Sequence, residues 1–285
     1  MPTQETDLDK VAFEFEALEA CLFCGARALV PSGKISWLDN DFWYVVCPTC
    51  GLKFMNPRPT RESYQAFYAN QFWQQKIRNK GFHQPGQAWN AGTYTYDNEE
   101  AWDPDEGRKN RMEKHREQRP KTIIPVIDAA IGLNEKKKVL EVGCGYGITL
   151  EVIHKEYKSQ VYAIEPSTDA QAMIKKNEYI KLVGSYAEEL EKIVKGDERY
   201  DAIIFSHVLE NTTEPHQVIR WAKESLAKGG ILYLQTPNLL VNDQMNPYHP
   251  FIFSDSSFRM LADKLHMRYE RKSGLIDRML IAIMQ

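Results

Sequence analysis

A strand–turn–helix pattern in the middle of the chain constrains the fold more than any other feature of the sequence. An apolar, partly β-branched run, Lys138–Val142, ends in three glycines at alternate positions: Gly143, Gly145 and Gly147. A run compatible with a helix, Ile148–Tyr157, follows at once. Glycines at such a turn remove the Cβ atoms that would keep a ligand away from the backbone, and the helix behind them presents N–H groups to it. The pattern therefore predicts a strand, a tight turn and a helix that together bind a ligand.

Two carboxylates accompany the glycine turn and indicate which ligand it binds. Glu165 follows the next apolar run, Gln160–Ile164, where a carboxylate can accept hydrogen bonds from both hydroxyls of a ribose. Glu141 precedes the first glycine, where an anion would repel a pyrophosphate and would suit a ligand with a cationic amine. A dinucleotide-binding fingerprint would also place its third glycine at the position of Ile148. The pattern therefore favours a nucleoside that carries a cationic amine.

With Glu-x-Gly-x-Gly-x-Gly at residues 141–147, Glu165 after the second strand and a fourth apolar strand at 200–205, the chain resembles class I S-adenosylmethionine-dependent methyltransferases. The resemblance covers roughly the C-terminal half to two-thirds of the chain. It implies S-adenosylmethionine as the cofactor, with Glu141 against its amino group and Glu165 against its ribose. The cofactor-binding residues that it implies are Glu141, Gly143, Cys144, Gly145, Gly147, Glu165, Pro166, Ser185, Tyr186 and Ser206. Ser185 lies where the family contacts adenine, and many relatives carry Asp there.

The alternation of strand and helix patterns after residue 136 predicts the fold class. We expect an α/β fold with a Rossmann-like, doubly wound, mostly parallel seven-stranded sheet that is covered on both faces. The predicted strands are 138–142, 160–164, 179–183, 201–206, 230–235, 267–272 and 278–284. The predicted helices are 147–157, 168–177, 186–195, 214–227 and one from Ser254 to about Lys264. The last two strands resemble the antiparallel closing hairpin of this methyltransferase fold.

Four of the five cysteines form two Cys-x-x-Cys pairs near the N-terminus: Cys21, Cys24, Cys47 and Cys50. The spacing between the pairs is close to that of a zinc ribbon, in which four thiolates bind structural Zn²⁺ tetrahedrally. A glycine follows each pair, Gly25 and Gly51, where a turn with positive φ is expected. Strands at 35–37 and 42–46 would form a hairpin between the pairs. A closed four-thiolate site leaves no open position for catalysis, so we predict a structural metal.

The remaining segments suggest three regions. We predict an N-terminal segment with the zinc ribbon at 1–57, a linking region at 58–135 and the S-adenosylmethionine-binding domain at 136–285. The linking region contains an aromatic helical face at 64–73, a lid-like segment at 74–107 and a basic run at 108–121. A basic run is most often a solvated helix face, and its functional alternative is an electrostatic dock for an anionic substrate.

Composition limits the partners and the compartment. The formal net charge of −3 argues against a protein that binds many phosphate groups at once. The ribbon segment supports the same conclusion, since its only bases, Arg27 and Lys34, stand against Asp39 and Asp41. No apolar run approaches the ~20 residues of a membrane span, and the first ten residues lack the pattern of a secretory signal. We therefore expect a cytoplasmic protein with a small-molecule partner, and the sequence does not predict an oligomeric state.

Two histidines are candidates for a catalytic base. Methyl transfer to a hydroxyl benefits from a base near neutral pKa, and ligands bind beyond the carboxyl ends of the strands in such sheets. His207 follows the fourth strand, and His249 lies in the loop beyond the fifth. Pro247 and Pro250 restrict the backbone around His249, which makes it the first choice and His207 the alternative.

Three functions are compatible with the sequence. The leading hypothesis is methyl transfer to a hydroxyl or amine of a small molecule, such as a sugar, a nucleotide-linked sugar or a natural-product or cell-surface glycan intermediate. The second is methylation of ribosomal RNA bases, because zinc ribbons also precede this fold in RNA methyltransferases. The third is a non-catalytic binding module, which the intact glycine turn with Glu141 and Glu165 argues against.

Overall fold

A seven-stranded sheet, a four-stranded sheet and a two-stranded sheet of Phe15–Glu16 and Arg58–Pro59 organise the described residues of this computed structural model. The structure describes residues 13–37, 40–70, 104–241, 245, 247 and 249–285, without the side chains of 67–70 and 104–117. The strands are β1 (Phe15–Glu16), β2 (Val30–Trp37), β3 (Asn40–Val46), β4 (Lys53–Met55), β5 (Arg58–Pro59), β6 (Lys138–Val142), β7 (Gln160–Ile164), β8 (Ile180–Gly184), β9 (Tyr200–Ser206), β10 (Leu226–Pro237), β11 (Phe251–Ile252), β12 (Tyr269–Arg271) and β13 (Met279–Met284). The helices are α1 (Arg61–Asn70), α2 (Pro104–Ile131), α3 (Ile148–Tyr157), α4 (Thr168–Ile174), α5 (Leu190–Val194), α6 (Pro215–Glu224) and α7 (Asp255–Lys264).

The large sheet has seven strands in the order β12-β13-β10-β9-β6-β7-β8. Its five strands from β10 to β8 run parallel, and β13 and β12 close the sheet as antiparallel neighbours. The strand order reverses at β6, which lies between β7 and β9. In an open α/β sheet, this reversal leaves a crevice beyond the carboxyl end of the strand at which the order turns. The glycine turn after β6 therefore lies at the expected ligand crevice.

Helices cover both faces of this sheet because its central strands are apolar on both sides. On one face, α2 and α3 pack through Ile123, Ile127 and Ile153. On the other face, α6 and α7 bury Val218 and Phe258. Central strands of parallel sheets read as near-continuous apolar runs for this reason. Among the described residues, no helix combines the length and apolar character that crossing a bilayer requires.

The predicted fold class is confirmed. The bounds predicted for β6 and β7 match the structure, and the other predicted elements differ by a few residues at their ends. The helix predicted at 186–195 begins instead as a 3₁₀ turn, Ala187–Glu189, which continues into α5. The strand predicted at 35–37 begins earlier, at Val30. The lid-like segment predicted at 74–107 lies outside the described residues, apart from 104–107, which begin α2.

The four-stranded sheet joins the N-terminal ribbon to a segment of the C-terminal half of the chain. Its order is β11-β4-β3-β2, so a strand from the loop after β10 forms one edge of the cysteine-containing ribbon. β11 pairs antiparallel with β4, with Phe251 opposite Phe54. The ring of Phe23 stacks on Phe253, with their centroids 5.7 Å apart. Because Phe23 and Phe253 are in the same buried cluster as Leu140 of β6, the ribbon and one face of the large sheet share a hydrophobic core.

Arg58 ties the end of the ribbon to the loop after β9. Its side chain is nearly fully buried and forms ion pairs with Glu16 and Glu214. It also donates a hydrogen bond to the backbone carbonyl of Thr213. A buried guanidinium needs such partners, because its desolvation is costly and only charges and carbonyls offset it.

Substitution of Arg58 tests this connection. Arg58→Ala should lower the free energy of unfolding by about 2 to 3 kcal/mol, toward the lower end for a broken buried pair because both acids stay partly exposed. Urea unfolding followed by circular dichroism measures the change. Lys195→Ala is the control, since it breaks an exposed pair with Glu191 at 3.2 Å. It should change stability by about 0.5 kcal/mol or less. Equal midpoints for the two variants would contradict the role of Arg58.

Candidate active site and metal centre

The turn between β6 and α3 has the conformation that only glycine adopts freely. Gly143, Gly145 and Gly147 have φ values of 65°, 58° and 74°. A Cβ at Gly143 would lie 2.5 Å from Cγ2 of Val208, and one at Gly147 would lie 3.0 Å from Cδ1 of Ile180. At Gly145, no atom of the described residues, apart from its two chain neighbours, lies within 4 Å of the Cβ position. The first and third glycines thus allow close packing within the protein, and the second leaves open space in which a ligand can approach the backbone.

Glu165 is bound to this turn through one carboxylate oxygen and to the residue that caps α4 through the other. Its Oε2 accepts a hydrogen bond from the amide of Gly145 at 2.7 Å, and its Oε1 accepts one from the amide of Ser167 at 2.8 Å. Burial raises the pKa of this carboxyl, although the two amides oppose the shift. Each oxygen keeps a second lone pair, so the carboxylate can accept hydrogen bonds from a ligand while it holds the turn.

A glutamine that the sequence analysis missed joins the ends of β7 and β8. Nε2 of Gln171 donates to the backbone carbonyl of Glu165 at 2.7 Å and to Oγ of Ser185 at 3.2 Å. The amide of Ser185 in turn donates to Oε2 of Glu189 at 2.5 Å. Ser185 and Glu165 are therefore held together at the carboxyl edge of the sheet. Gln171 lies one turn into α4, and its sequence context carries no signal that distinguishes it from a surface glutamine.

Glu141 and Arg119 form a buried ion pair beside the turn. Glu141 is 0% exposed, and its Oε1 accepts a hydrogen bond from Nη2 of Arg119 at 2.7 Å. Burial raises the pKa of Glu141 to about 7, and the positive charge of Arg119 opposes the shift. Among the described residues, two buried atoms of this pair have no hydrogen-bond partner: Oε2 of Glu141 and Nε of Arg119. Buried polar groups are nearly always hydrogen-bonded, so these two atoms require an explanation.

Arg119 is an exception to the prediction that the basic run is a solvated helix face. Its side chain is mostly buried. Arg119 lies four and eight residues before Ile123 and Ile127, which are fully buried on the same face of α2. That spacing was the available signal, because residues four apart on a helix share a face. Lys121, the other described base of the run, is exposed, and the side chains of 108–117 are outside the described part of the structure.

The other predicted cofactor residues lie at the ends of the same strands. Cys144 is buried within the turn, and Ser206, also buried, ends β9. Pro166 and Tyr186 are partly buried and follow β7 and β8. The fold thus brings all the predicted positions to one edge of the sheet, while their individual roles stay predictions.

The two candidate bases lie on adjoining segments. His207 directly follows β9, and its Nδ1 lies 3.1 Å from Oε1 of Glu210. His249 is partly buried, and its backbone carbonyl accepts a hydrogen bond from Oη of Tyr44 at 2.9 Å. β11, which begins two residues after His249, contacts the 3₁₀ turn Leu209–Asn211.

The four ribbon cysteines have the geometry of a metal site. Their sulfur atoms all lie within 4.8 Å of one another, and the pairs Cys21–Cys50 and Cys24–Cys47 are 3.6 and 3.4 Å apart. Tetrahedral Zn–S bonds of ~2.3 Å require sulfur atoms ~3.8 Å apart. Gly25 and Gly51 have positive φ, as predicted, and each donates its amide to the carbonyl of the first cysteine of its pair. The donor set and its spacing are consistent with a structural zinc ion.

A family model described as a methyltransferase domain matches residues 114–278, more than half of the chain. The chain belongs to this methyltransferase family. Its fold, with the glycine turn and two flanking acids, is that of the S-adenosylmethionine-dependent class I methyltransferases.

Two curated methyltransferases illustrate the similarity in sequence. The chain is 28% identical over 116 residues to malonyl-(acyl-carrier protein) O-methyltransferase of Bacillus anthracis. The aligned region covers 40% of this chain and 43% of that protein. It is 32% identical over 123 residues to ubiquinone biosynthesis O-methyltransferase of Aliivibrio fischeri. This aligned region covers 42% of this chain and 51% of that protein. The chain therefore spans about half the length of these relatives.

The structural comparison supports the fold independently. The complex of the Haloferax volcanii Trm112 methyltransferase activator with a methyltransferase contains a chain that matches with a TM-score of 0.51. The match covers 62% of this methyltransferase and 93% of that chain, at 13% identity. At this identity, the similarity shows a shared fold and nothing about the acceptor.

Removal of one ribbon thiolate tests the metal centre. We expect the purified methyltransferase to contain about one zinc ion per chain and Cys47→Ser to lose it, because metal-binding free energy in such sites is largely folding free energy. Because Cys47 lies in the core that Phe251 and Phe253 share, amide hydrogen exchange should rise at 251–253 as well as in the ribbon. Metal analysis and exchange mass spectrometry measure the two effects. Absence of zinc from the native protein, or unchanged protection at 251–253 in a zinc-free variant, would contradict this assignment.

Proposed function

We propose that this methyltransferase transfers a methyl group from S-adenosylmethionine to a hydroxyl or amine of a small molecule, with a hydroxyl favoured. The observation that carries the proposal is the buried pair of unpartnered atoms, Oε2 of Glu141 and Nε of Arg119, beside the glycine turn. The methionine end of the cofactor has an ammonium and a carboxylate on one carbon. Such a zwitterion would pair with both atoms at once.

The remaining residues would hold the rest of the cofactor. Bound there, the cofactor supplies a methyl group on a sulfonium, which an acceptor attacks in line. Glu165 would accept the ribose hydroxyls, and Ser185 and Tyr186 would border the adenine. The open space at Gly145 would let the cofactor contact the backbone. The contribution of the protein to such a displacement is chiefly positioning and the exclusion of water.

A hydroxyl acceptor is favoured by the relatives. Both curated relatives are named O-methyltransferases. We propose a sugar, a nucleotide-linked sugar or a natural-product or glycan intermediate as the acceptor class. An RNA acceptor is less well supported, because Lys34, one of two bases in the ribbon, is already paired with Asp41 at 2.9 Å. Phosphate binding would require several free cations.

The raised pKa of Glu141 predicts how cofactor affinity depends on pH. The ammonium binds the ionised carboxylate, and below pH 7 the free protein holds Glu141 mostly protonated, so binding must release a proton. The association constant for S-adenosylmethionine should therefore rise by about tenfold between about pH 5.5 and 7. Calorimetry across this window should show the rise for the wild-type protein and a nearly flat profile for Glu141→Gln.

Glu188→Gln is the matched control for this measurement. Glu188 is also a buried acid whose pKa is raised by burial, but its neighbours are Gln65 and Arg61 on α1. This variant should keep the wild-type pH profile. A profile for Glu141→Gln that rises as steeply as that of the wild type would show that the ammonium does not bind at Glu141.

A transfer assay tests the function itself. The protein is incubated with methyl-labelled S-adenosylmethionine and three separate acceptor pools: sugars and nucleotide sugars, phenols and other small metabolites, and total RNA. We expect label in a small-molecule pool, on oxygen when the product is analysed by mass spectrometry. Label only in RNA, or in no pool although calorimetry shows cofactor binding, would overturn the proposed acceptor class.

A further inference from the structure

A buried carboxylate, Glu210, faces one of the two candidate bases and has no other described partner. Glu210 is 1% exposed, and its Oε1 lies 3.1 Å from Nδ1 of His207. Its second oxygen, Oε2, has no hydrogen-bond partner in the part of the chain that the structure describes. A buried carboxylate that served only the fold would be expected to satisfy both oxygens, because an unpaired buried acceptor costs about 1 to 3 kcal/mol.

We propose that Glu210 is a positioning residue that fixes the orientation and tautomer of His207, and that His207 takes the proton from the acceptor hydroxyl. The proposal rests on the proposed function, because it assigns the base for transfer to a hydroxyl. It also reverses the order of the two candidates drawn from the sequence, where the prolines around His249 favoured that residue.

The contacts around His207 determine which ring nitrogen carries the proton. With Glu210 as the acceptor, Nδ1 of His207 is the donor of the hydrogen bond between them. Nε2 is then the nitrogen that carries the lone pair. It accepts a long hydrogen bond from Nε2 of Gln235 at 3.4 Å, and the acceptor hydroxyl would take the place of this amide. A tautomer with its basic nitrogen directed away from the carboxylate is the arrangement of a general base with an orienting acid.

The partner of Gln235 supports this assignment. Oη of Tyr233 donates to Oε1 of Gln235 at 2.9 Å, which directs the amide nitrogen of Gln235 toward the imidazole. Burial raises the pKa of Tyr233, so its hydroxyl stays protonated and can act as this donor. Four side chains thus form one chain of hydrogen bonds: Tyr233, Gln235, His207 and Glu210.

The backbone holds His207 in a conformation that non-glycine residues seldom adopt. Its φ is 58°, in the left-handed region. Its amide donates to the carbonyl of Gln235 at 2.9 Å, and its carbonyl accepts from Nδ2 of Asn211 at 2.8 Å. Such conformations persist where the surroundings over-determine them, and they concentrate at functional sites. The side chain is nevertheless 45% exposed, so Nε2 can meet an acceptor.

His207 also lies beside the glycine turn, on which the cofactor would bind. The next residue, Val208, packs against Gly143, where a Cβ would lie 2.5 Å from its Cγ2. β9 and β6 are parallel neighbours, so the carboxyl end of β9 is beside the glycine turn. The acceptor would therefore enter between His207 and the sulfonium of the cofactor.

The proposed methyl transfer forms one bond to carbon and breaks one. The acceptor oxygen forms a bond to the methyl carbon as the bond from that carbon to sulfur breaks, and the electron pair of the broken bond stays on sulfur. The hydroxyl proton moves to Nε2 of His207. The imidazolium that forms keeps its Nδ1–H bond to the carboxylate of Glu210, which stabilises the positive charge. The exposed ring then releases the proton to solvent.

The test compares two variants of the pair with two controls, using the hydroxyl acceptor found in the transfer assay. Glu210→Gln keeps the shape of the side chain but removes its charge. His207→Asn removes the base, and Asn tolerates the left-handed backbone. Glu188→Gln controls for the loss of a buried charge, and His249→Ala tests the alternative base. For each variant, kcat, KM and the cofactor Kd are measured.

We expect Glu210→Gln to lower kcat by roughly tenfold or more and His207→Asn by ~10²-fold, with cofactor Kd within about twofold of wild type. Glu188→Gln and His249→Ala should keep wild-type kcat. Wild-type kcat in His207→Asn, or a ~10²-fold loss confined to His249→Ala, would overturn the proposal. If Glu210→Gln fails to fold, His207→Asn alone decides whether His207 is the base.

A second measurement is independent of the acceptor. Nitrogen-15 NMR of the histidine side chains should show the Nδ1–H tautomer of His207 in the wild-type protein and a mixture of tautomers in Glu210→Gln. A wild-type Nε2–H tautomer would overturn the positioning role even if the enzyme is active. A protein that binds cofactor with the expected tautomer but methylates no small molecule would instead contradict the proposed function.

Discussion

The ion pair between Arg119 and Glu141 is the interaction on which the arrangement of the active site depends. It joins α2 to the end of β6 at a point that water does not reach. Desolvation of two charges generally costs more than their mutual attraction returns, so a buried pair is weak evidence for stability. A half-satisfied pair is costlier still, because Oε2 of Glu141 and Nε of Arg119 each lack a partner. The proposed function accounts for this cost, since a ligand that carries both charges would pair with both atoms.

Much of the fold follows from the sequence because the central strands are buried on both faces. Their apolar runs are bounded by turn residues, and the glycines after β6 mark the crevice directly. The positions of Glu165 and Ser185 could be predicted for the same reason, since the parallel strands bring their carboxyl ends to one edge. The confirmed predictions are thus those that depend on local patterns and on one rule of topology.

The missed features depend on contacts that sequence separation conceals. Arg119 lies in a run of bases. Only the direction in which α2 crosses the sheet shows that Arg119 faces Glu141. Glu210 looks like a surface acid until the turn after β9 buries it against His207. β11 has two residues, too short for any periodicity to show. In each case the deciding partner is distant in the chain or on another element.

The pairing of β11 with β4 has a consequence for the order in which the protein is made. Phe54 and its partner Phe251 are roughly 200 residues apart in the sequence, a separation typical of slow, non-local contacts. During synthesis, the ribbon emerges early, but β4 lacks its neighbour on one side until the loop after β10 has left the ribosome. The cysteine cluster therefore spends most of translation beside an open strand edge, and a metal ion bound there would stabilise the ribbon together with the pairing of β2, β3 and β4.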